Sequence, residues 1–130
     1  PNADDGFNSY IKYIKKYLGK MKNCSILKNL GIKNYYIVLK NSDIMIGNSS
    51  SGIIESASFK LPVINIGDRQ KNRFSNQNVI HTSFDVKDLK KAFLKSQSPI
   101  FLKKLSKLQN FYYQKNTSQK CANIIYRFIK

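Results

Sequence analysis

The apolar positions of this chain alternate between helical spacing and short continuous runs, and the switching lays out a series of helices and strands. Phe7, Tyr10, Ile11, Ile14, Leu18 and Met21 recur at helical spacing, which predicts a helix from about Gly6 to Lys22 with that stripe as its packing face. A short strand is expected over 25–27, then a turn at Gly31 and a helix over 34–41 carrying Tyr35, Tyr36, Val38 and Leu39. Ile44, Met45 and Ile46 are continuously apolar, as are most of Val63, Ile64, Asn65 and Ile66, and such runs suit parallel strands buried on both faces. Between them a helical pattern stops at Lys60-Leu61-Pro62, so the unit reads as strand, helix, strand. Beyond it come a strand over 78–81 and a helix opened by Asp85 with Phe93 and Leu94 inward. A helix from Ser98-Pro99 through Leu108 follows, and a last one over 117–129 has Ala122, Ile125, Phe128 and Ile129 available for packing. The class is α/β with a parallel sheet, without internal repeat or low-complexity linker.

The turn between the two apolar runs is Gly47-Asn48-Ser49-Ser50-Ser51-Gly52. Its glycines suit close backbone approach or positive φ, and its serines place hydroxyls and N–H groups at a helix start, which is anion-binding chemistry. With the helix beginning near Ser50 or Ser51, Glu55 lies about one turn in from the loop. A carboxylate adds no attraction for phosphate, but it can accept hydrogen bonds from both hydroxyls of a ribose. Phosphate on the loop and ribose on the acid together describe a nucleoside diphosphate. The plainer alternative is a capping box, with a serine at the N-cap and Glu55 reaching back to a backbone N–H.

The stretch from Asn65 to Arg73 follows the second strand and therefore emerges on the same carboxyl edge of the sheet, where open α/β sheets bind ligands. Only three arginines occur in the chain, and two of them, Arg69 and Arg73, are in this loop. Their planar forks suit phosphate oxygens in a way lysine does not. A solvated basic loop is the alternative reading.

At these residues a resemblance enters. GNSSSGIIE at 47–55 followed by KLPVINIGDRQKNR at 60–73 resembles the signature of the hydrolysing UDP-N-acetylglucosamine 2-epimerases of sialic and legionaminic acid synthesis. Pro1-Asn2-Ala3-Asp4 is similar to that family's opening turn, and 110–118 to its closing Asn-Pro-Tyr segment, with Phe111 in place of the usual proline. Asn72 stands where the family usually has glycine. The resemblance spans nearly the whole chain. It implies a Rossmann-like three-layer domain, residues 1–130, forming the C-terminal, nucleotide-holding half of a two-domain architecture shared with B-type glycosyltransferases. It implies that Ser49 and Ser50 bind the diphosphate, Glu55 the ribose, and Arg69 the phosphate side of the cleft, with Ser51 and Gly52 among the UDP-binding residues and Arg73 as a further candidate. Asn2 matches an asparagine that approaches the nucleotide, and Leu30 a residue whose backbone reads the uracil. The implied enzyme converts UDP-N-acetylglucosamine to N-acetylmannosamine and UDP. Its acids and bases come mainly from the other domain, so no catalytic residue is expected in this stretch and the chain alone should be inactive. The implied partners are a UDP-sugar, that N-terminal domain, and further copies in a homo-oligomer of the joined protein. A B-type glycosyltransferase domain and a non-catalytic nucleotide- or nucleic-acid-binding module are the rival classes.

Composition agrees with a piece of something larger. The 130 residues suffice for one core, yet the chain opens at Pro1, directly in a motif. No signal peptide, membrane-spanning run or lipidation signal is visible, so the expectation is a fragment of a cytoplasmic protein. Cys24 and Cys121 lack metal-ligand spacing, and neither metal nor cofactor is expected. His81, the single histidine, ends a strand and reads as structural. The formal charge of +16 raises nucleic-acid binding. Its distribution argues against that partner: Lys12, Lys15, Lys16 and Lys20 in the first helix, and Lys87, Lys90, Lys91 and Lys95 in a later one, occupy polar faces. Tyr10, Tyr13 and Tyr17 fall at helical spacing, which suits a packed face rather than a stacking platform.

Overall fold

Three parallel strands carry the fold, β1 (Met45–Gly47), β2 (Val63–Ile66) and β3 (Val79–Thr82), in that spatial order. Met45 pairs with Val63, and Val63 in turn with Val79. The computed structural model describes residues 7–129. Its contacts divide the chain into two units, Pro1–Tyr35 and Tyr36–Lys130, and the sheet belongs to the second.

Successive side chains of β2 point to opposite faces, which sorts the helices into two outer layers. On one face Ile64 and Ile80 are buried with Ala92 of α4 (Val86–Ser96), and Ile44, Ile66, Leu89 and Phe101 pack around them. On the other face Val63 and Met45 lie against Gly52 of α3 (Ser50–Ile54), where an added Cβ would come within 3.1 Å of Val63 Cγ1. The result is a three-layer, Rossmann-like α/β arrangement. The connection from β2 to β3, residues 67–78, carries no helix and consists of turns.

Local chemistry sets the helix ends. Asp85 caps α4 by accepting from Lys87 N at 2.7 Å and Asp88 N at 3.2 Å. Ser98 caps α5 (Pro99–Ser106), whose first residue is a proline that needs no N–H partner there. After α3 the chain tightens into a 3-10 turn, Ser56–Phe59, and ends in left-handed geometry at Lys60 (φ 56°) ahead of Pro62. The central helical pattern is therefore two short pieces.

Several expectations are corrected. β2 is buried on both faces, but Ile46 of β1 is 49% exposed, because α4 packs mainly over β2 and β3 and leaves the neighbouring edge position on the same face open. Phe93 and Leu94 do not face inward: Ala92 and Ser96 are the buried positions of α4, while Phe93 and Leu94 are 45% and 71% exposed. The last helix, α6 (Thr117–Ile129), matches its predicted span, and Ile125, Phe128 and Ile129 are all exposed.

In the first unit, α1 (Phe7–Leu18) is shorter at its C-terminal end than its periodicity suggests, and Ile11 and Ile14 are half-buried. Tyr13 and Tyr17 are exposed instead of packed, their rings stacked on each other at 6.4 Å. No strand forms over 25–27, where Ile26 and Leu27 are exposed and pair with no strand among the described residues. The next helix, α2 (Gly31–Lys40), starts earlier than expected because Asn29 Oδ1 accepts from Gly31 N at 2.8 Å. No helix among the described residues is long and apolar enough to cross a membrane.

Candidate functional site

The carboxyl ends of β1 and β2 each release a loop that carries the chemistry singled out in the sequence. β1 ends at Gly47, whose φ of 155° is open to glycine and strained for other residues, and the chain turns at once into α3. Ser49 is the N-cap, its Oγ accepting from Ser51 N at 3.3 Å. Ser51 Oγ donates to Glu55 Oε2 at 2.7 Å. Among the described residues nothing engages the Ser50 hydroxyl, which is exposed, as is Ser49. With only five residues, α3 contributes little macrodipole, so what the turn offers an anion is chiefly the exposed hydroxyls of Ser49 and Ser50.

The capping-box alternative for Glu55 does not form. With Ser49 at the N-cap, the position that would reach back is Gly52, while Glu55 is the C-cap of α3. Its half-buried carboxylate is instead tethered to Ser51.

The second loop begins at Gly67, which adopts φ 74° and donates its N–H to the Thr82 carbonyl at 2.8 Å. Asp68, Arg69, Lys71, Asn72 and Arg73 are exposed, whereas Gln70 turns inward and is only 4% exposed. Gln70 Nε2 donates to the Asn48 carbonyl at 2.9 Å, joining the arginine loop to the serine loop. Backbone bonds from Lys71 to Asp68 and from Arg73 to Gln70 fold the segment into consecutive turns. The Asp68–Lys71 pair, at 4.0 Å and largely solvated, adds little.

Behind the loops lies a scaffold that spacing did not reveal. Asn65 and His81, neighbours across β2 and β3, meet at 3.1 Å between Nδ2 and Nδ1, and His81 Nε2 contacts Ser75 Oγ at 3.0 Å. His81 thus braces the 67–78 connection, in line with its structural reading. Asn110 Nδ2 donates to the Ile54 carbonyl at 2.9 Å and to Ser58 Oγ at 2.8 Å, while its Oδ1 accepts from Asn76 Nδ2 at 3.1 Å and Tyr112 N at 2.9 Å. Asn76 Oδ1 in turn accepts from Phe111 N at 3.0 Å, and Tyr112 donates its hydroxyl to the Phe74 carbonyl at 2.7 Å. Asn78, fully buried, donates to Ser56 Oγ and the Leu61 carbonyl. The one available signal was the excess of asparagines flanking apolar runs. Nothing in the spacing marks Gln70.

Of the expected site residues, Ser49, Ser50, Ser51, Gly52 and Glu55 are brought together on α3, and Gln70 ties the turn that holds Arg69 and Arg73 to them. Leu30 is half-buried in the first unit, and Asn2 lies outside the described residues. A groove of about 700 Å³ lined by Phe74, Asn76, Lys104, Lys107, Asn110 and Phe111 includes no residue of the serine loop and no carboxylate.

A family model described as UDP-N-acetylglucosamine 2-epimerase matches residues 1–126. A GDP/UDP-N,N'-diacetylbacillosamine 2-epimerase (hydrolyzing) of Campylobacter jejuni is 43% identical over 101 residues, which cover 77% of this chain and 26% of that protein. A UDP-N,N'-diacetylbacillosamine 2-epimerase (hydrolyzing) of Legionella pneumophila is 38% identical over 125 residues, or 96% of this chain and 32% of that protein. The polysialic acid biosynthesis protein P7 of Escherichia coli is 35% identical over 129 residues, or 99% of this chain and 33% of that protein. The chain therefore spans about a third or less of the length of these curated relatives.

Proposed function

Because this chain belongs to the UDP-N-acetylglucosamine 2-epimerase family, we propose that it is the C-terminal, nucleotide-holding domain of a hydrolysing UDP-sugar 2-epimerase. The observation that carries the reading is the placement of Glu55, tethered to Ser51 at 2.7 Å one turn beyond an exposed serine turn. That arrangement offers hydroxyl and N–H donors for a diphosphate beside a carboxylate acceptor for ribose hydroxyls.

In the proposed reaction the sugar loses its C2 proton and the bond from C1 to the UDP oxygen breaks, giving a glycal-like intermediate. Water then adds, its proton to C2 on the opposite face and its hydroxyl to C1, so the products are the 2-epimeric free sugar and UDP. Departure of UDP develops negative charge on the phosphate. Ser49, Ser50 and the Arg69 guanidinium would stabilise that charge, with Arg73 alongside, while Ser51 holds Glu55 at the edge of the same site. The proton transfers belong to groups outside this chain, in an N-terminal domain of the joined protein, which would work as a homo-oligomer in the cytoplasm.

For the sugar, N-acetylglucosamine is the first reading. A di-acetamido sugar is the second, favoured by the names of the Campylobacter and Legionella relatives.

Titration calorimetry on the 130-residue chain tests the reading. UDP should bind weakly, because only one wall of the cleft is supplied, and in preference to UMP. Equal affinity for the two, or tighter binding of duplex DNA at physiological salt, would overturn it.

A further inference from the structure

We propose that Gln70 is a positioning residue for the diphosphate, setting the serine loop and the arginine loop against each other; the inference rests on the reading of the serine loop as a UDP site. Gln70 is 4% exposed in a run whose neighbours Asp68, Arg69, Lys71, Asn72 and Arg73 are all exposed. A carboxamide is unfavourable to bury unless its polar ends are matched. One end is matched: Nε2 donates to the Asn48 carbonyl at 2.9 Å. Because Asn48 offers a carbonyl, the end facing it has to be the amide donor, which fixes the orientation of the group.

The other end, Oε1, is buried and has no hydrogen-bond partner among the described residues. Asn48 immediately precedes the N-cap Ser49, so the bond acts on the residue that launches the turn. It also occupies a carbonyl whose negative end would otherwise compete with an anion for the loop's donors. Gln70 follows Arg69 directly, so the same bond fixes the backbone from which that guanidinium projects. Gln70 itself touches no ligand in this scheme; it sets where the donors stand.

The test is the ratio of UDP to UMP affinity in wild type and in Gln70→Met, which keeps the reach of the side chain and removes the donor, with melting followed in parallel. UDP affinity is expected to fall about tenfold, the scale of one hydrogen bond, with UMP affinity nearly unchanged, so that the preference for the second phosphate collapses. A wild-type chain with no preference for UDP removes the underlying reading, and this proposal with it. A wild-type preference that survives in Gln70→Met leaves the UDP site standing and overturns the role of Gln70. Equal loss of UDP and UMP makes Gln70 a brace of the fold and also overturns it. If Gln70→Met does not fold, Gln70→Glu, with the same length and a carboxylate facing the carbonyl, carries the same comparison. Failure of both to fold counts as the brace outcome.

Discussion

The Ser51 hydroxyl donates to Glu55 Oε2 across one turn of α3, so the acid at the end of the helix is aimed by the loop at its start. A carboxylate holding one donor keeps acceptor capacity for others. Glu55→Ala should therefore weaken UDP binding by about 1.5 to 3 kcal/mol, the range for charged hydrogen bonds. A 2′,3′-dideoxy nucleotide should bind wild type poorly and be nearly indifferent to the substitution. Equal losses for both ligands would make Glu55 a support for Ser51 only.

Gly52 brings α3 close to β2, and an alanine Cβ there would stand 3.1 Å from Cγ1 of the buried Val63. Better helix propensity favours alanine by up to about 1 kcal/mol, but overpacking costs about 1 to 3 kcal/mol. Gly52→Ala should lower the urea midpoint without changing the slope. Adding Val63→Ala should cost less than the two separate effects combined, since the new methyl fills part of the space vacated. Strict additivity would mean that the helix shifts as a whole.

Asn110 holds the carbonyl end of α3 and Asn76 at once. Asn110→Ala leaves several buried or half-buried groups unmatched and should destabilise by at least about 1 to 3 kcal/mol. Asn110→Asp keeps the acceptor for Asn76 and Tyr112 and loses the donors to Ile54 and Ser58, so its melting point should fall between wild type and alanine. An aspartate variant as unstable as alanine would place the whole effect on the donor side.

Legibility divided along the line between local and non-local causes. The serine turn, the caps at Asp85 and Ser98 and the stop at Pro62 are written within a few residues, and the sequence reading located each. The inward helix positions were misread because Phe93 and Leu94 are as apolar as the buried Ala92, and only the neighbouring strand decides which side is covered. The predicted strand at 25–27 failed for the same reason: three extended residues need a ladder partner, and local composition supplies none. Gln70, Asn76 and Asn110 act across gaps of 22 to 56 residues. No periodicity records such pairings.

Activity should require more than this chain. Among the described residues His81 is engaged by Asn65 and Ser75, and Glu55 is the acceptor proposed for ribose, which leaves no positioned acid and base pair beside the serine loop there. The isolated chain should release neither UDP nor a 2-epimerised sugar, and activity should return with the rest of the enzyme. In the joined protein Arg69→Ala should slow UDP release from the sugar by about a hundredfold or more, the scale for loss of a preorganised donor. Turnover by the purified 130-residue chain would show the proposed division of labour to be wrong.

Both ladders of the sheet are parallel, so no two strands can pair until the chain between them has been made. On the ribosome this imposes an order. β1 emerges with Ile44, Met45 and Ile46 uncovered and has to wait for β2, and the serine turn meets its Gln70 strap only afterwards. The rear anchor at Asn110 comes later still. A nascent chain arrested before that residue should hold its serine loop on a helix with an unsecured end and remain open to protease within 67–78. Protection should appear when the segment through Tyr112 leaves the exit tunnel, so the arrival of Asn110, more than that of the serine turn itself, decides when the loop is held.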